Sequence, residues 1–261
     1  MPYDVTTTFL ADLGLRQVVG ERESSGWAEA VPALCWPGTA LVRSSVLGTL
    51  ADMVCGGLAH QLTLDKQPIT LDLSVRWLRP DAVGTVVIEG TMPKGGATVM
   101  QTECWFRGED RAEPFAFGQL AFIRSPRPQD VIDPVMAPFG VVRPPMPRPI
   151  ADHVECRVVG PGVVEVERHA YVLNPSGTIQ GGIVALAGEL AAESAAGEGQ
   201  VAVDLDVRYL SATRVGPARA TAAVLARSGA GAIVRVEIRD MGNAGRLSSV
   251  VMARTAPAGT L

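Results

Sequence analysis

An α+β fold is predicted from this sequence: a curved antiparallel sheet wrapped around a central apolar helix, built twice in tandem. Three observations predict it. The two halves overlay in a single register, a proline-dense stretch separates them, and each half carries one long apolar helix followed by strands of alternating character.

The overlay sets Asp72 on Asp204, which also brings Arg76 onto Arg208, Trp77 onto Tyr209, Leu78 onto Leu210 and Gly84 onto Gly216. Further along, Arg124 falls on Arg254, so each half closes on a similar strand. Proline supplies no amide for a ladder and cannot continue a helix, so the stretch 125–150 reads as a semi-extended connector. The organisation that follows is a first unit over 1–124, opened by a short helix in the first fifteen or so residues, the linker 125–150, and a second unit over 151–261.

Strands are predicted at 27–35, 69–78, 85–92, 98–107 and 116–124 in the first unit, and at 163–172, 202–210, 219–226, 232–240 and 246–255 in the second. Many alternate, as where Val234, Val236 and Ile238 interleave with Arg235, Glu237 and Arg239, the pattern of an antiparallel strand with one wet face. Helices are predicted at 45–62 and 182–196. The first is apolar around nearly its whole axis, so it must be buried, and the economical packing is a sheet curled about it. The two helices are expected to lie antiparallel and adjacent under one continuous sheet.

Apolar residues make up 47% of the chain and charged residues 19%, which excludes a disordered chain. The net charge of −4, with Lys and Arg dispersed, argues against a nucleic-acid or anionic-membrane surface. No segment has the apolar length to cross a bilayer and the first residues lack a signal-peptide pattern, so the expected location is the cytoplasm. Cys35, Cys55, Cys104 and Cys156 show no C-x-x-C pairing and no His at ligand spacing, and are read as buried, reduced thiols with no metal site. His60, His153 and His169 fit no catalytic arrangement and read as satisfied histidines.

Asp52 is the only charged residue between Arg43 and Asp65, in the middle of an apolar helix. A carboxylate there is costly unless it is hydrogen-bonded, protonated or facing a cleft. The overlay, extended backward, places Glu189 at the same helical position of the second half, although Glu193 one turn later strengthens the reading of a shared wet face for Glu189. Ahead of the second helix stand Asn174, Gly177, Gln180, Gly181 and Gly182. Paired glycines at a helix start let a carbonyl approach backbone N–H groups at the positive helix end.

The segment 174–189 resembles the N-x-x-G-x-x-H-G-G motif, with a following acid, of hotdog thioesterases related to the phenylacetate-pathway and 4-hydroxybenzoyl-CoA enzymes. The first half keeps the motif poorly: Pro37 replaces the Asn, Ser44 and Ser45 replace the glycines, and the usual His is Arg43 here and Gln180 in the second half. The resemblance implies a double-hotdog acyl-CoA thioesterase acting on a medium-chain or aromatic acyl group, without metal or redox cofactor and with the habit of homo-oligomers. It implies that each site combines the loop of one unit with the carboxylate of the other. One site would then join Asn174, Gly181 and Gly182 to Asp52, and a degraded one would join Pro37, Ser44 and Ser45 to Glu189. Gln180, Arg76 and Arg208 are the expected substrate-binding residues, the arginines through coenzyme A phosphates, although a solvated sheet edge is the stronger reading of the arginines from the residues alone. A non-catalytic acyl-CoA binder is the alternative. A hydratase of the same fold is disfavoured, since its D-x-N-P-x-H stretch would need Asp and His where Val172 and Gly177 stand.

Overall fold

The computed structural model describes residues 8–63, 66–96, 98–125 and 146–260. Most of the predicted linker and the first seven residues lie outside the described residues. The first half contains α1 (Phe9–Asp12), β1 (Arg16–Val19), β2 (Glu23–Glu29), α2 (Ser44–Thr63), β3 (Pro68–Trp77), β4 (Thr85–Gly95), β5 (Val99–Gly108) and β6 (Ala116–Arg124). The second repeats this order with α3 (Ile150–His153), β7 (Cys156–Gly160), β8 (Val163–Val166), α4 (Gly181–Ala196), β9 (Gln200–Tyr209), β10 (Ala218–Ser228), β11 (Gly231–Asp240) and β12 (Arg246–Pro257).

All twelve strands form one antiparallel sheet in the order β1-β2-β4-β5-β6-β3-β9-β12-β11-β10-β8-β7. The halves join where β3 pairs with β9, Leu73 opposite Val207 and Val75 opposite Leu205. These are the strands that carry the repeat. Because they pair antiparallel, the matched Asp and Arg of each half fall opposite one another, Asp72 against Arg208 and Arg76 against Asp204.

The strands alternate as their residue patterns require. Val234, Val236 and Ile238 of β11 are fully buried, while Arg235 and Arg239 pair with Glu237 on the outer face. The inner face packs on α2 and α4. Leu47, Leu50, Val54 and Leu58 are at most 1% exposed, which is why α2 carries no polar stripe. The helices are antiparallel neighbours, since Ser45 near the start of α2 bonds Glu189 in the middle of α4, while Thr49 lies against Gly182 at the start of α4.

Four sequence expectations need correction. Each half has six strands, because short edge strands β1 and β7 pair with β2 and β8. Strand 27–35 ends at Glu29, and Pro32, which has no amide to donate, opens a 3-10 turn over Pro32–Leu34. Strand 163–172 ends at Val166, where Glu167 and Arg168 turn to solvent before a 3-10 turn at Ala170–Val172. The described part of the N-terminal helix is a single turn, Phe9–Asp12. The four cysteines are free and buried, and among the described residues no helix is long and apolar enough to cross a membrane.

Candidate functional site

Asp52 sits mid-way along α2, partly exposed. The register of β3 against β6 shifts between Thr70 and Asp72, so Thr70 shares the helix-facing side with Leu73 while Asp72 points outward. The consequence is a short bond, Thr70 Oγ1 donating to Asp52 Oδ1 at 2.6 Å. Burial pushes the Asp52 carboxyl up to about 6, against the opposing pull of the Thr70 bond. The Tyr209 hydroxyl is raised well above its ordinary value by burial and by the charge of Asp52. That hydroxyl donates to the Gly181 carbonyl at 3.0 Å. Tyr209 therefore connects the carboxylate of the first half to the glycine pair of the second.

Of the glycine pair, Gly182 leaves no room for a side chain and Gly181 is tightly packed. A Cβ on Gly182 would stand 2.1 Å from Thr49 Oγ1, and one on Gly181 would stand 3.3 Å from the Tyr209 ring. The N-terminus of α4 thus abuts α2 one turn before Asp52. Gln180 caps this helix, its Oε1 accepting from the Gly182 N–H and from the Ile183 N–H at 3.3 Å. The expectation of two free amides is corrected accordingly: Gly182 is engaged by Gln180, while the Gly181 N–H makes no hydrogen bond among the described residues.

Asn174 is committed to its own loop. Its Oδ1 accepts from Thr178 N–H at 3.1 Å, its Nδ2 donates to Thr178 Oγ1 at 2.8 Å, and Gly177 takes the φ of 70° that closes the turn. Ser176 of this loop reaches Gln67 just ahead of β3, at 3.2 Å. The matching loop of the first half is one residue longer. Trp36 N–H bonds Leu41 C=O as Asn174 N–H bonds Thr178 C=O, so Trp36, not Pro37, stands for Asn174.

At the other helix end, Ser45 donates to Glu189, and Arg43 bridges Glu189 at 3.3 Å and Glu193 at 3.1 Å. Glu193 Oε1 also accepts the Ala202 N–H at 3.1 Å. The wet face that Glu189 and Glu193 could have shared does not exist: their side chains are 0% and 12% exposed. Burial, with the Glu189 charge adding and Arg43 opposing, pushes the Glu193 carboxyl up to about 7. Cys156, with a thiol raised to about 12 by burial, feels both Arg43 and Glu189. This end is filled by an ion cluster.

Arg76 and Arg208 are not brought to either helix end. Both alternate with the buried residues Leu73, Val75, Leu205 and Val207, so they lie on the outer face of the sheet. There Arg76 forks onto Asp206 at 2.7 Å and Arg208 meets Asp72 at 3.0 Å. Their guanidinium groups tie the two halves together across the β3–β9 junction.

No protein-family model and no curated protein matches this chain. Solved structures do. A provisionally assigned oleoyl thioesterase of Lactobacillus plantarum superposes with a TM-score of 0.66 at 14% identity, over 94% of this chain and 98% of that one. The tesB protein of Mycobacterium avium subspecies paratuberculosis gives 0.63 at 16% identity, over 95% and 97%. A protein of unknown function with a hot dog fold from Alicyclobacillus acidocaldarius gives 0.60 at 12% identity, over 95% and 97%. The fold is hotdog-like.

Within this hotdog-like fold, the residues that sequence reasoning did not single out for chemistry are Thr70, Tyr209, Arg43 and Glu193. Tyr209 was visible only as the repeat partner of Trp77, and Arg43 only as a replacement for the usual His. Thr70 carries no sequence signal, because a bulge decides which way it faces.

Proposed function

We propose that this chain is a double hotdog that hydrolyses acyl-CoA thioesters at the Asp52 helix end. The observation that carries the reading is a carboxylate of raised basicity, bonded to Thr70 and one turn along α2 from Thr49, which abuts Gly182 of the other half, with its charge felt by the Tyr209 hydroxyl that bonds the Gly181 carbonyl. A base whose pKa lies near neutrality is suited to take a proton from water in the transition state. The thioester carbonyl would lie against the Gly181 N–H, at the positive end of α4, where charge developing on oxygen is stabilised. Asp52 would take a proton from a water aimed at the carbonyl carbon, the carbon–sulfur bond would break, and the coenzyme A thiolate would leave as the carboxylic acid forms. Thr70 orients Asp52, Tyr209 fixes the Gly181 carbonyl, and Asn174 and Gln180 shape the loop and helix start that hold the amide.

The Glu189 end is read as inactive, because Arg43 neutralises the carboxylate and fills the approach to it. A panel of acyl-CoA substrates monitored with a thiol reagent tests the proposal. Release of free coenzyme A, abolished by denaturation and dependent on Asp52, supports it. Saturable binding without release would instead favour a non-catalytic binder.

A further inference from the structure

The internal repeat makes each helix end a record of what the other lacks. Around Glu189 the space is occupied by Arg43 and Glu193, with Ser44 and Ser45 at the start of α2. Around Asp52 every one of these has a smaller counterpart at the same place in the repeat. Gln180 stands for Arg43 and turns back on its own helix, Gly181 and Gly182 stand for Ser44 and Ser45, Asp52 stands for Glu189, and Gly56 stands for Glu193.

Gly56 is the one replacement that no requirement of the fold explains. It lies in the interior of α2, one turn beyond Asp52 on the same face, and is partly exposed. A Cβ there would meet only Phe122 Cε1, at 3.8 Å, an ordinary contact. Its neighbour Gly57 differs, since a Cβ at that position would stand 2.3 Å from Gln17 Nε2. A helix-interior glycine with room for a methyl group gives up helix stability for no packing gain. The space it leaves corresponds to the space that the Glu193 side chain fills in the other half.

We propose that Gly56 is the acyl-specificity position of the Asp52 site, the space that a side chain would fill there, beside Phe122 Cε1, taking part of the apolar acyl chain of the thioester. The proposal rests on reading Asp52 as the base of thioester hydrolysis. Four residues separate the two, about 6 Å along the axis, so a side chain at 56 obstructs an acyl chain beyond roughly its fourth carbon. Short acyl groups end before that point.

The test compares the intact chain with Gly56→Leu and Gly56→Ala on acetyl-, butyryl-, octanoyl- and benzoyl-CoA. The expected result is a fall of roughly tenfold or more in the octanoyl-to-acetyl ratio of kcat/KM for Gly56→Leu, and a smaller fall for Gly56→Ala, which the 3.8 Å clearance admits without strain. The alanine variant keeps the comparison open should the leucine variant fail to fold. A uniform loss at every chain length, or an unchanged ratio in a folded variant, overturns the proposal while leaving hydrolysis intact. If the unaltered chain releases no coenzyme A from any of the four, the hydrolysis reading fails. The role of Gly56 is then judged by binding of S-octyl-CoA, a thioether that cannot be hydrolysed: weaker binding to Gly56→Leu supports it, and equal binding or none overturns it.

Discussion

Replacing Arg43 with Met should show how the filled helix end is held together. Arg43 is 6% exposed in its side chain and is shared by two carboxylates, Glu189 at 3.3 Å and Glu193 at 3.1 Å. Removing the cation leaves two buried negative charges facing each other, and breaking a buried pair in this way costs about 3–5 kcal/mol. For a chain of this size that corresponds to a fall in Tm of roughly 10 °C.

The loss should depend on pH, and the direction follows from Glu193. Its folded value of about 7 lies above the ordinary 4.5, so the folded protein retains a proton that the unfolded chain has released. Stability from this group is complete below about 4.5 and falls as pH rises through 7, by up to about 3 kcal/mol in the unaltered chain. Without Arg43 the repulsion is relieved when Glu193 takes up its proton, so the deficit should be largest at pH 8 and shrink by more than half at pH 5. Thermal unfolding followed by circular dichroism at both pH values reads this directly. An equal deficit at the two pH values, or no deficit at pH 8, would refute the reasoning.

Two further outcomes concern the Asp52 end. Hydrolysis should need the ionised carboxylate, so kcat/KM should rise with pH and level off above an apparent pKa of about 6, as initial rates over acyl-CoA concentrations below and around KM would record at each pH. Thr70→Val removes the hydrogen bond that opposes the effect of burial, so the limb of that profile should move to higher pH while the rate on the plateau drops. A Thr70→Val profile superimposable on that of the unaltered chain would remove Thr70 from the site.

Much of the frame was legible in the residues. The matched Asp72 and Asp204, Arg76 and Arg208 marked two equivalent strands, and these strands form the junction of the halves. The unbroken apolar surface around Leu47, Leu50, Val54 and Leu58 marked a buried helix, because only a helix covered on all sides can do without a polar stripe. The crossed arrangement of Ser45 with Glu189, loop of one half against helix of the other, was also anticipated.

What escaped has specific causes. A β-bulge reverses the side-chain alternation without leaving a trace in the residue pattern, so neither the inward turn of Thr70 nor its bond to Asp52 could be read. Glu189 and Glu193, one turn apart, look like a solvated face until Arg43, far away in the chain, is seen to close over both. The arginines of the repeat suggested an anion site, and only the pairing of β3 with β9 reveals that each has an aspartate partner from the opposite half. Short strands such as β1 and β7, of four and five residues, carry too few alternations to stand out.

The central claim is that one of the two repeat-related carboxylates does the chemistry, and paired isosteric substitutions test it most directly. Each of Asp52→Asn and Glu189→Gln keeps the shape of the side chain and removes its charge, and release of coenzyme A from an acyl-CoA that the unaltered chain hydrolyses is the readout. Asp52→Asn should lower kcat by roughly a hundredfold or more, as expected for a lost general base, and Glu189→Gln should leave most of the rate. Loss of activity in Glu189→Gln with Asp52→Asn tolerated, both variants folded, would contradict the account.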